Sequence, residues 1–467
     1  MKASEKKLRI GFIHPDLGIG GAERLVVDAA VSLQKRGHNV TIFTSRHDPK
    51  RCFEETRDGT LRVHVLGGRM LPMRLHPRLP MTIVFSILRS LLLTLLLCLS
   101  LLMPEPATFL NPLSPLEPFD VFIVDQQSVC VPVLRLVAGT RVVFYCHFPD
   151  KLLSAGWSIA ADGTVKQKAD LVRKLYRWPA DKLEEWTTGQ SDVILANSQF
   201  TSRVYASAFP SLRKRPPKVV YPCIDLSNYD KARKTSLTDS RPTLLSLNRF
   251  EAKKNVELAI RSFHALKTLV PEKFAEMRLV IGGGYDDAVP DNVTTLAHLR
   301  AECRELELDQ VEFLLNFTAT ERSALLNNPN TLCLLYTPTN EHFGIVPIEA
   351  GACGLPVLAV NSGGPTETIL DGKTGFLREP KTDAWAEALA NLVTLSPTRR
   401  KEMSKTAKER VTSLFSLDTL GRHLEESCRE ALGKGVLSDQ LGDKLIWSGV
   451  CLIGMSLVAI AITVALT

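Results

Sequence analysis

The stretch Thr331–Val360 reads TLCLLYTPTNEHFGIVPIEAGACGLPVLAV and holds one complete unit of a fold. An apolar run of strand length, TLCLLYTP, is followed by a short polar turn, then FGIVPIEAGACG, then a second apolar run, LPVLAV. Gly344 with Pro347 three residues later predicts a helix starting near Ile345, because a proline in the first helical turn forfeits only an N–H that has no partner there. Strand, helix and strand in this order make a βαβ unit of a parallel sheet. Glu341 then lies on the loop and Glu349 on the helix, so the two carboxylates do not share a helical face. They can address two parts of one long ligand. The free N–H groups at the helix start favour a phosphate, and the next loop, Asn361–Glu367 (NSGGPTE), is a second glycine-rich turn entering a helix.

The same alternation extends in both directions. Upstream, LRIGFIHP, NVTIFTS, LRVHVLGG, FDVFIVDQQ, RVVFYCHFPD and SDVILANSQF read as strands, with AERLVVDAAVSLQKRG apolar at helical spacing between the first two. The polar stretch Leu226–Pro242 reads as a linker, after which TLLSLNRF, RLVIGGG and VEFLLNF begin a second series. The expectation is an α/β protein of two Rossmann-like, doubly wound domains, 1–225 and 243–435, facing one cleft. Ligands of such sheets bind beyond the carboxyl ends of the strands.

With 467 residues, 45% hydrophobic and 23% charged, the chain is long enough for two or three domains with proper cores. Its ten cysteines include no C-x-x-C pair, which argues against a zinc ribbon or a disulfide framework and fits a reducing compartment. The opening MKASEKKLRIGFIHP has too short an apolar run for a signal peptide, so the catalytic part is expected in the cytosol. Two segments, Met81–Met103 and Leu445–Leu466, are long and apolar enough to reach across a bilayer. The formal charge is +7, with basic clusters at Met73–Arg78, Arg213–Lys218 and Thr398–Arg400. The first directly precedes an apolar segment, where it would meet anionic headgroups. No aromatic residues interleave with the basic runs, so nucleic acid is not expected as a partner. Met81–Met103 lies between strands that must join one sheet, so a single crossing would separate them. We expect an element lying in the cytosolic leaflet, with Arg89 reaching the headgroups.

Several residues stand where chemistry could occur. PDLGIGGAER puts Gly18, Gly20 and Gly21 between the first strand and first helix; Glu23 replaces the third glycine of a dinucleotide turn and no acidic residue closes TIFTS, which disfavours an oxidoreductase. SLNRFEAKKN places Arg249 and Lys254 at the end of the first strand of the second domain, where fixed cations would stabilise a departing diphosphate. His147, in FYCHFPDKLL, stands at the end of another strand. No D-x-D occurs, so a metal-dependent diphosphate site of that type is not expected.

The run EHFGIVPIEAGACGLPVLAVNSGGPTETILDGKTGFL resembles the donor-binding signature of retaining GT-B glycosyltransferases of family 4, and the likeness covers nearly the whole chain. The resemblance implies that Glu341 contacts hydroxyls of the donor sugar and Glu349 the ribose, while Arg249 and Lys254 grip the diphosphate in place of a metal. It also implies that Gly20 and Gly21 approach the donor phosphates, that Phe343, Gly344 and Ile345 belong to the donor site, and that His147 supports the transferred sugar. Glu341, His147, Arg249 and Lys254 are the catalytic candidates. Within the family, HPDLGIGGAER, CHFPDKLL, the insert near residue 90 and the apolar tail are similar to endoplasmic-reticulum mannosyltransferases of lipid-linked oligosaccharide assembly. That likeness implies GDP-mannose as donor, Man-GlcNAc2-diphosphodolichol as acceptor, α-1,3 then α-1,6 transfer, and no cofactor. It further implies catalytic domains on the cytosolic face of the endoplasmic reticulum membrane, in contact with its lipids and with other transferases of the same assembly line. A UDP-GlcNAc-dependent transferase of glycosylphosphatidylinositol synthesis and an inactive nucleotide-sugar-binding scaffold are the alternatives.

Overall fold

The computed structural model describes residues 6–68, 70–71, 82–102, 116–153, 157–167, 171–229 and 240–434. The apolar tail 445–466, the basic cluster 73–78, the ends of the 81–103 segment and most of the 226–242 linker lie outside the described residues. The strands are β1 (Arg9–His14), β2 (Asn39–Thr44), β3 (Arg62–Val65), β4 (Val121–Asp125), β5 (Arg141–Cys146), a hairpin of β6 (Trp157–Ile159) and β7 (Val165–Gln167), β8 (Val193–Ala196) and β9 (Lys218–Val219). The second series is β10 (Thr243–Leu247), β11 (Arg278–Gly283), β12 (Val311–Leu315), β13 (Thr331–Tyr336), β14 (Val357–Val360) and β15 (Gly375–Arg378). They form two parallel sheets, ordered β3-β2-β1-β4-β5-β8-β9 and β12-β11-β10-β13-β14-β15. In each the order reverses beside its first strand, which opens a crevice at the carboxyl ends there.

Both faces of both sheets are covered, as the continuous apolar runs require. Along β4, Phe122 and Val124 enter one core while Val121 and Ile123 enter the other. Along β13, Cys333 and Leu335 pack on one side, and Leu334 and Tyr336 on the other.

The apolar segment expected in a membrane leaflet forms a helix, Thr82–Leu102, and it is the connection between β3 and β4. Leu88, Leu92, Leu93, Leu96 and Leu97 are buried against Phe43, Phe122 and Val124 of the sheet. Its length and composition would suffice to cross a membrane, yet β3 and β4 belong to one sheet, so the chain cannot pass through a bilayer between them. One side of the helix is core. The other carries Leu99 and Leu102, 37% and 60% exposed.

One departure from expectation concerns Leu417–Gly433, a helix within the span 243–435 assigned to the second domain. This helix packs on the first: Leu420, Leu424, Cys428 and Ala431 share a core with Leu25, Val26, Ala29 and Val143. Its charged side is tied down too. Glu425 accepts from Arg36 Nε (2.6 Å) and Arg429 (2.7 Å), and His38 Nε2 lies 3.4 Å away. The chain therefore passes between the domains twice, and the passages touch where Ile224 N–H donates to the Phe415 carbonyl (3.0 Å).

Burial alone would raise the Glu425 pKa, but the Arg36 and Arg429 hydrogen bonds outweigh it and hold it down to about 2. A depressed carboxylate contributes stability above its unfolded value and loses it as pH falls through the folded one. Glu425→Gln should lower Tm at pH 7, and the gap to the parent should shrink from about pH 4.5 downward and close near pH 2. Thermal unfolding across that range checks it; a gap independent of pH would show that the ion pairs contribute nothing.

Candidate active site in the cleft between the domains

The helix expected near Ile345 runs from Ile345 to Ala352, with Pro347 in its first turn. Gly344 precedes it at φ 85°, a left-handed conformation that disfavours a side chain, and a Cβ there would lie 3.1 Å from the Tyr336 ring. Before it, the loop Asn340–Phe343 is squeezed from both sides. From the second domain, Gly364 N–H donates to the Glu341 carbonyl (2.8 Å) and Ser362 Oγ accepts from Asn340 N–H (3.0 Å). A Cβ on Gly364 would sit 2.1 Å from the Phe343 carbonyl oxygen, and one on Gly363 2.4 Å from that of Glu341. These glycines let two loops touch. The helix they enter, Pro365–Thr368, is a single turn, so the second glycine-rich turn serves close backbone packing and not a long helical anion site.

From the first domain, the Phe148 ring stacks on His342 at 3.7 Å and 6°, Ser198 Oγ donates to the His342 carbonyl (2.6 Å), and Asn340 Nδ2 donates to the Ile159 carbonyl (2.8 Å). Burial pushes the His342 imidazole down to about 4, so it is neutral in the stack. Glu367 adds a further tie: its carboxylate accepts from the N–H groups of Gln199 (2.7 Å) and Phe200 (2.8 Å), at the start of the first-domain helix Gln199–Ala208. An anion there satisfies orphan donors and meets the positive end of the helix dipole.

Glu341 and Lys254 form one unit, with Nζ 2.5 Å from Oε2. Lys254 ends a short turn whose carbonyl accepts from Thr337 Oγ1 (2.6 Å), which fixes it beside the end of β13. Burial would raise the Glu341 pKa; the Lys254 ammonium outweighs that and holds it below the usual carboxylate range. Glu349 differs. It is buried, accepts from Tyr229 Oη (2.8 Å) and pairs with Arg322 (3.1 Å), while its Oε2 has no partner. Burial outweighs Arg322 and raises its pKa. Arg249, with its side chain 65% exposed, pairs with Glu251 (3.0 Å). Phe343 packs with Ile224, Ile348, Val411 and Phe415 beneath the loop.

On the opposite wall, His147 follows β5 and its Nε2 lies 2.9 Å from Asp125 Oδ2. Asp125 ends β4, and both its oxygens lie within 2.9 Å of Nδ1 of His14, which ends β1. The glycine turn lies alongside: Gly20 precedes the helix Gly21–Lys35, Glu23 Oε1 stands 4.0 Å from His14 Nε2, and nothing lies within 4 Å of a Cβ built on Gly21.

Sequence reasoning missed His14, Asp125, Tyr229, Arg322 and Glu367. The first two left a signal, since titratable residues closing otherwise buried strands are a mark of a site in this sheet type. Tyr229, Arg322 and Glu367 carry none, because their partners lie 120, 27 and 168 positions away in the chain.

Two domains with reversed-order parallel sheets, and a cleft that offers a cation–carboxylate pair beside a helix start, define a glycosyltransferase of the GT-B type. Comparison with known proteins agrees. Residues 19–228 match Glycosyltransferase Family 4, and residues 228–410 match Glycosyl transferases group 1. Sucrose-phosphate synthase from Thermosynechococcus elongatus shares the fold at a TM-score of 0.65 with 19% identity, over 92% of this chain and 100% of that one. HepE from Anabaena, solved with UDP and glucose, does so at 0.60 with 18% identity, over 90% and 99%. The "Alpha-1,3/1,6-mannosyltransferase ALG2" of Rhizomucor pusillus is 43% identical over 450 residues, 90% of this chain and 91% of that protein. That of Mus musculus is 39% identical over 421 residues, 88% and 94% of the two chains. The chain belongs to the ALG2 family of α-1,3/1,6-mannosyltransferases.

The glycine contacts give a direct test of how the loop is held. Gly364→Ala should displace the Glu341–Phe343 backbone and destabilise by about 1–3 kcal/mol, whereas Gly21→Ala, which meets open space, should leave Tm nearly unchanged. Thermal unfolding of the two variants decides it; equal Tm values would contradict the packing.

Proposed function

We propose that this cleft transfers mannose from GDP-mannose to a dolichyl-diphosphate oligosaccharide, first α-1,3 and then α-1,6, on the cytosolic face of the endoplasmic reticulum membrane. The observation that carries the reading is the Lys254–Glu341 pair set just before the helix start at Ile345, with buried Glu349 one turn further along. Glu341, held ionised, accepts hydrogen bonds from sugar hydroxyls. Glu349, with one oxygen lacking a partner, suits the ribose hydroxyls. Lys254, Arg249 and the N–H groups of the loop and helix start, at Phe343, Gly344 and Ile345, face the diphosphate, whose charge grows as it leaves. The backbone at Gly20 and Gly21 approaches the same phosphates from the first domain. The name of its relatives, α-1,3/1,6-mannosyltransferase, supports mannose and the two linkages.

In each transfer the bond from mannose C1 to the diphosphate oxygen breaks and a bond from the acceptor hydroxyl oxygen to C1 forms on the same face. The hydroxyl proton passes to the departing phosphate oxygen, so no carboxylate nucleophile is required. Lys254 stabilises the developing charge, and its partner Glu341 remains to orient the sugar. The chain has one full set of these residues, so both linkages are made in one cleft.

The apolar helix supports placement at a membrane. Its first turns, Ile83 and Ile87, line a small hollow with Gln127, Ser128 and Asp150, and Asp150 is only three residues beyond His147. Leu99 and Leu102 are exposed toward its other end. A lipid-bound acceptor lying along that side would bring its sugar to the cleft. Other transferases of the same assembly line are the expected protein partners.

The test is turnover of purified protein with a lipid-linked acceptor. GDP-mannose should be consumed and UDP-GlcNAc should not; the reverse would overturn the reading. Lys254→Ala should lower the rate by about 100-fold, and EDTA should leave the chemical step intact. Because Lys254 holds the Glu341 pKa down, its removal should also move the acid limb of the pH–rate profile to higher pH. Glu341→Gln should reduce both linkages together; normal formation of either would exclude a shared cleft.

A further inference from the structure

His14, Asp125 and His147 form a continuous array across three neighbouring strands, and the family resemblance gives a role, support of the transferred sugar, only to the last of them. β1 and β5 flank β4, so the three residues at or just beyond their carboxyl ends stand side by side. His14 Nδ1 lies 2.7 Å from Asp125 Oδ1 and 2.9 Å from Oδ2, and His147 Nε2 lies 2.9 Å from Oδ2. A carboxylate only accepts, so each ring donates an N–H to it. His14 and Asp125 are 0% and 3% exposed. A carboxylate that deep persists only when paired.

Burial opposes charge on both partners, but each favours the other's ionised form by more. The His14 pKa is raised and that of Asp125 lowered, which makes them an imidazolium–carboxylate pair. The second nitrogen of His14, Nε2, is buried without a hydrogen-bond partner and lies 4.0 Å from Glu23 of the glycine turn. His147 is different, with a side chain 18% exposed. Its Nε2–H is committed to Asp125, so Nδ1 is the nitrogen left for a ligand, and in the neutral ring Nδ1 accepts a hydrogen bond.

We propose that Asp125 and His14 are positioning residues for the transfer: Asp125 fixes the tautomer and plane of His147, so that Nδ1 accepts from a hydroxyl of the sugar in the cleft, and the His14 cation keeps Asp125 ionised. The array also links the wall that holds His147 to the turn of Gly20 and Gly21, through the approach of His14 to Glu23. The inference rests on the reading of His147 as a residue facing the sugar. A carboxylate present only to stabilise the fold would share the burial and the ion pair, but it would act on stability and not through His147.

The test is a double-mutant cycle on full-length enzyme with GDP-mannose and lipid-linked acceptor, using Asp125→Asn, His147→Ala and the combination. Asp125→Asn should lower kcat by about 10-fold or more, as loss of the residue that orients a histidine does, with KM for GDP-mannose within about twofold. In the His147→Ala background the same change should alter kcat by less than about twofold, because the route through His147 is already gone. Multiplying losses, or a wild-type kcat for Asp125→Asn, would overturn the positioning role. A wild-type kcat for His147→Ala would overturn the reading of His147 itself, and the positioning role with it. Should Asp125→Asn fail to fold by thermal unfolding, His14→Asn takes its place in the cycle. Its amide keeps an N–H near the position of Nδ1–H but removes the charge, and the same two patterns decide.

Discussion

The grip of both domains on the four residues Asn340–Phe343 is the constraint on which the cleft depends. Five groups hold this short loop: the Phe148 ring and Ser198 hydroxyl on His342, the Ile159 carbonyl and Ser362 hydroxyl on Asn340, and Gly364 against the backbone of Glu341 and Phe343. A loop fixed from one side only would leave the Glu341 carboxylate free to swing by the ångström or so that separates a productive hydrogen bond from a lost one. Held from two sides, it is oriented before any sugar arrives. The first domain thus sets the geometry of a residue that belongs to the second.

Two carboxylates eight positions apart reach opposite ionisation tendencies by the same means. Both are largely removed from water, which favours the neutral acid in each. Glu341 has an ammonium at 2.5 Å and stays well ionised; Glu349 has a guanidinium at 3.1 Å and a phenol, which fall short of offsetting its deeper burial. Environment has divided the labour between identical side chains. His342, stacked on Phe148 of the other wall, is neutral because its desolvation outweighs the neighbouring Glu341 charge, with Lys254 adding to the effect.

Much of this was legible in the sequence because it is local. The alternation of strands and helices follows side-chain periodicity, and the start of the helix at Ile345 followed from the placing of one glycine and one proline. Glu341, Glu349, Arg249 and Lys254 could be named as candidates because short motifs, read through the family resemblance, mark them. What could not be read is what depends on distant partners. That 82–102 does not cross a bilayer was legible, because the strands on both sides of it share one sheet; that one side of its helix packs on Phe43, Phe122 and Val124 was not, since hydropathy alone does not separate core from lipid. Glu367 reads as the acid of a short helix; only the folded chain brings it to the N–H groups of Gln199 and Phe200. Asp125 and His14 lie 111 residues apart, and no pattern of spacing joins them.

The helix Leu417–Gly433 has a bearing on how the protein is made. It supplies Leu420, Leu424, Cys428 and Ala431 to the core beneath β1, β4 and β5, so one side of the first domain stays open until residues 417–433 arrive. The last strand of that sheet, β9, ends at Val219. Roughly 200 further residues must leave the ribosome before the cover is available, which at about 5–20 residues per second is a delay of roughly 10–40 s. During that interval Leu25, Val26 and Ala29 face water with nothing upon them, on a nascent chain whose second domain is assembling alongside. Closure of the first domain therefore waits for the synthesis of residues 417–433, and a chain that stops short of residue 417 leaves that side of its core uncovered.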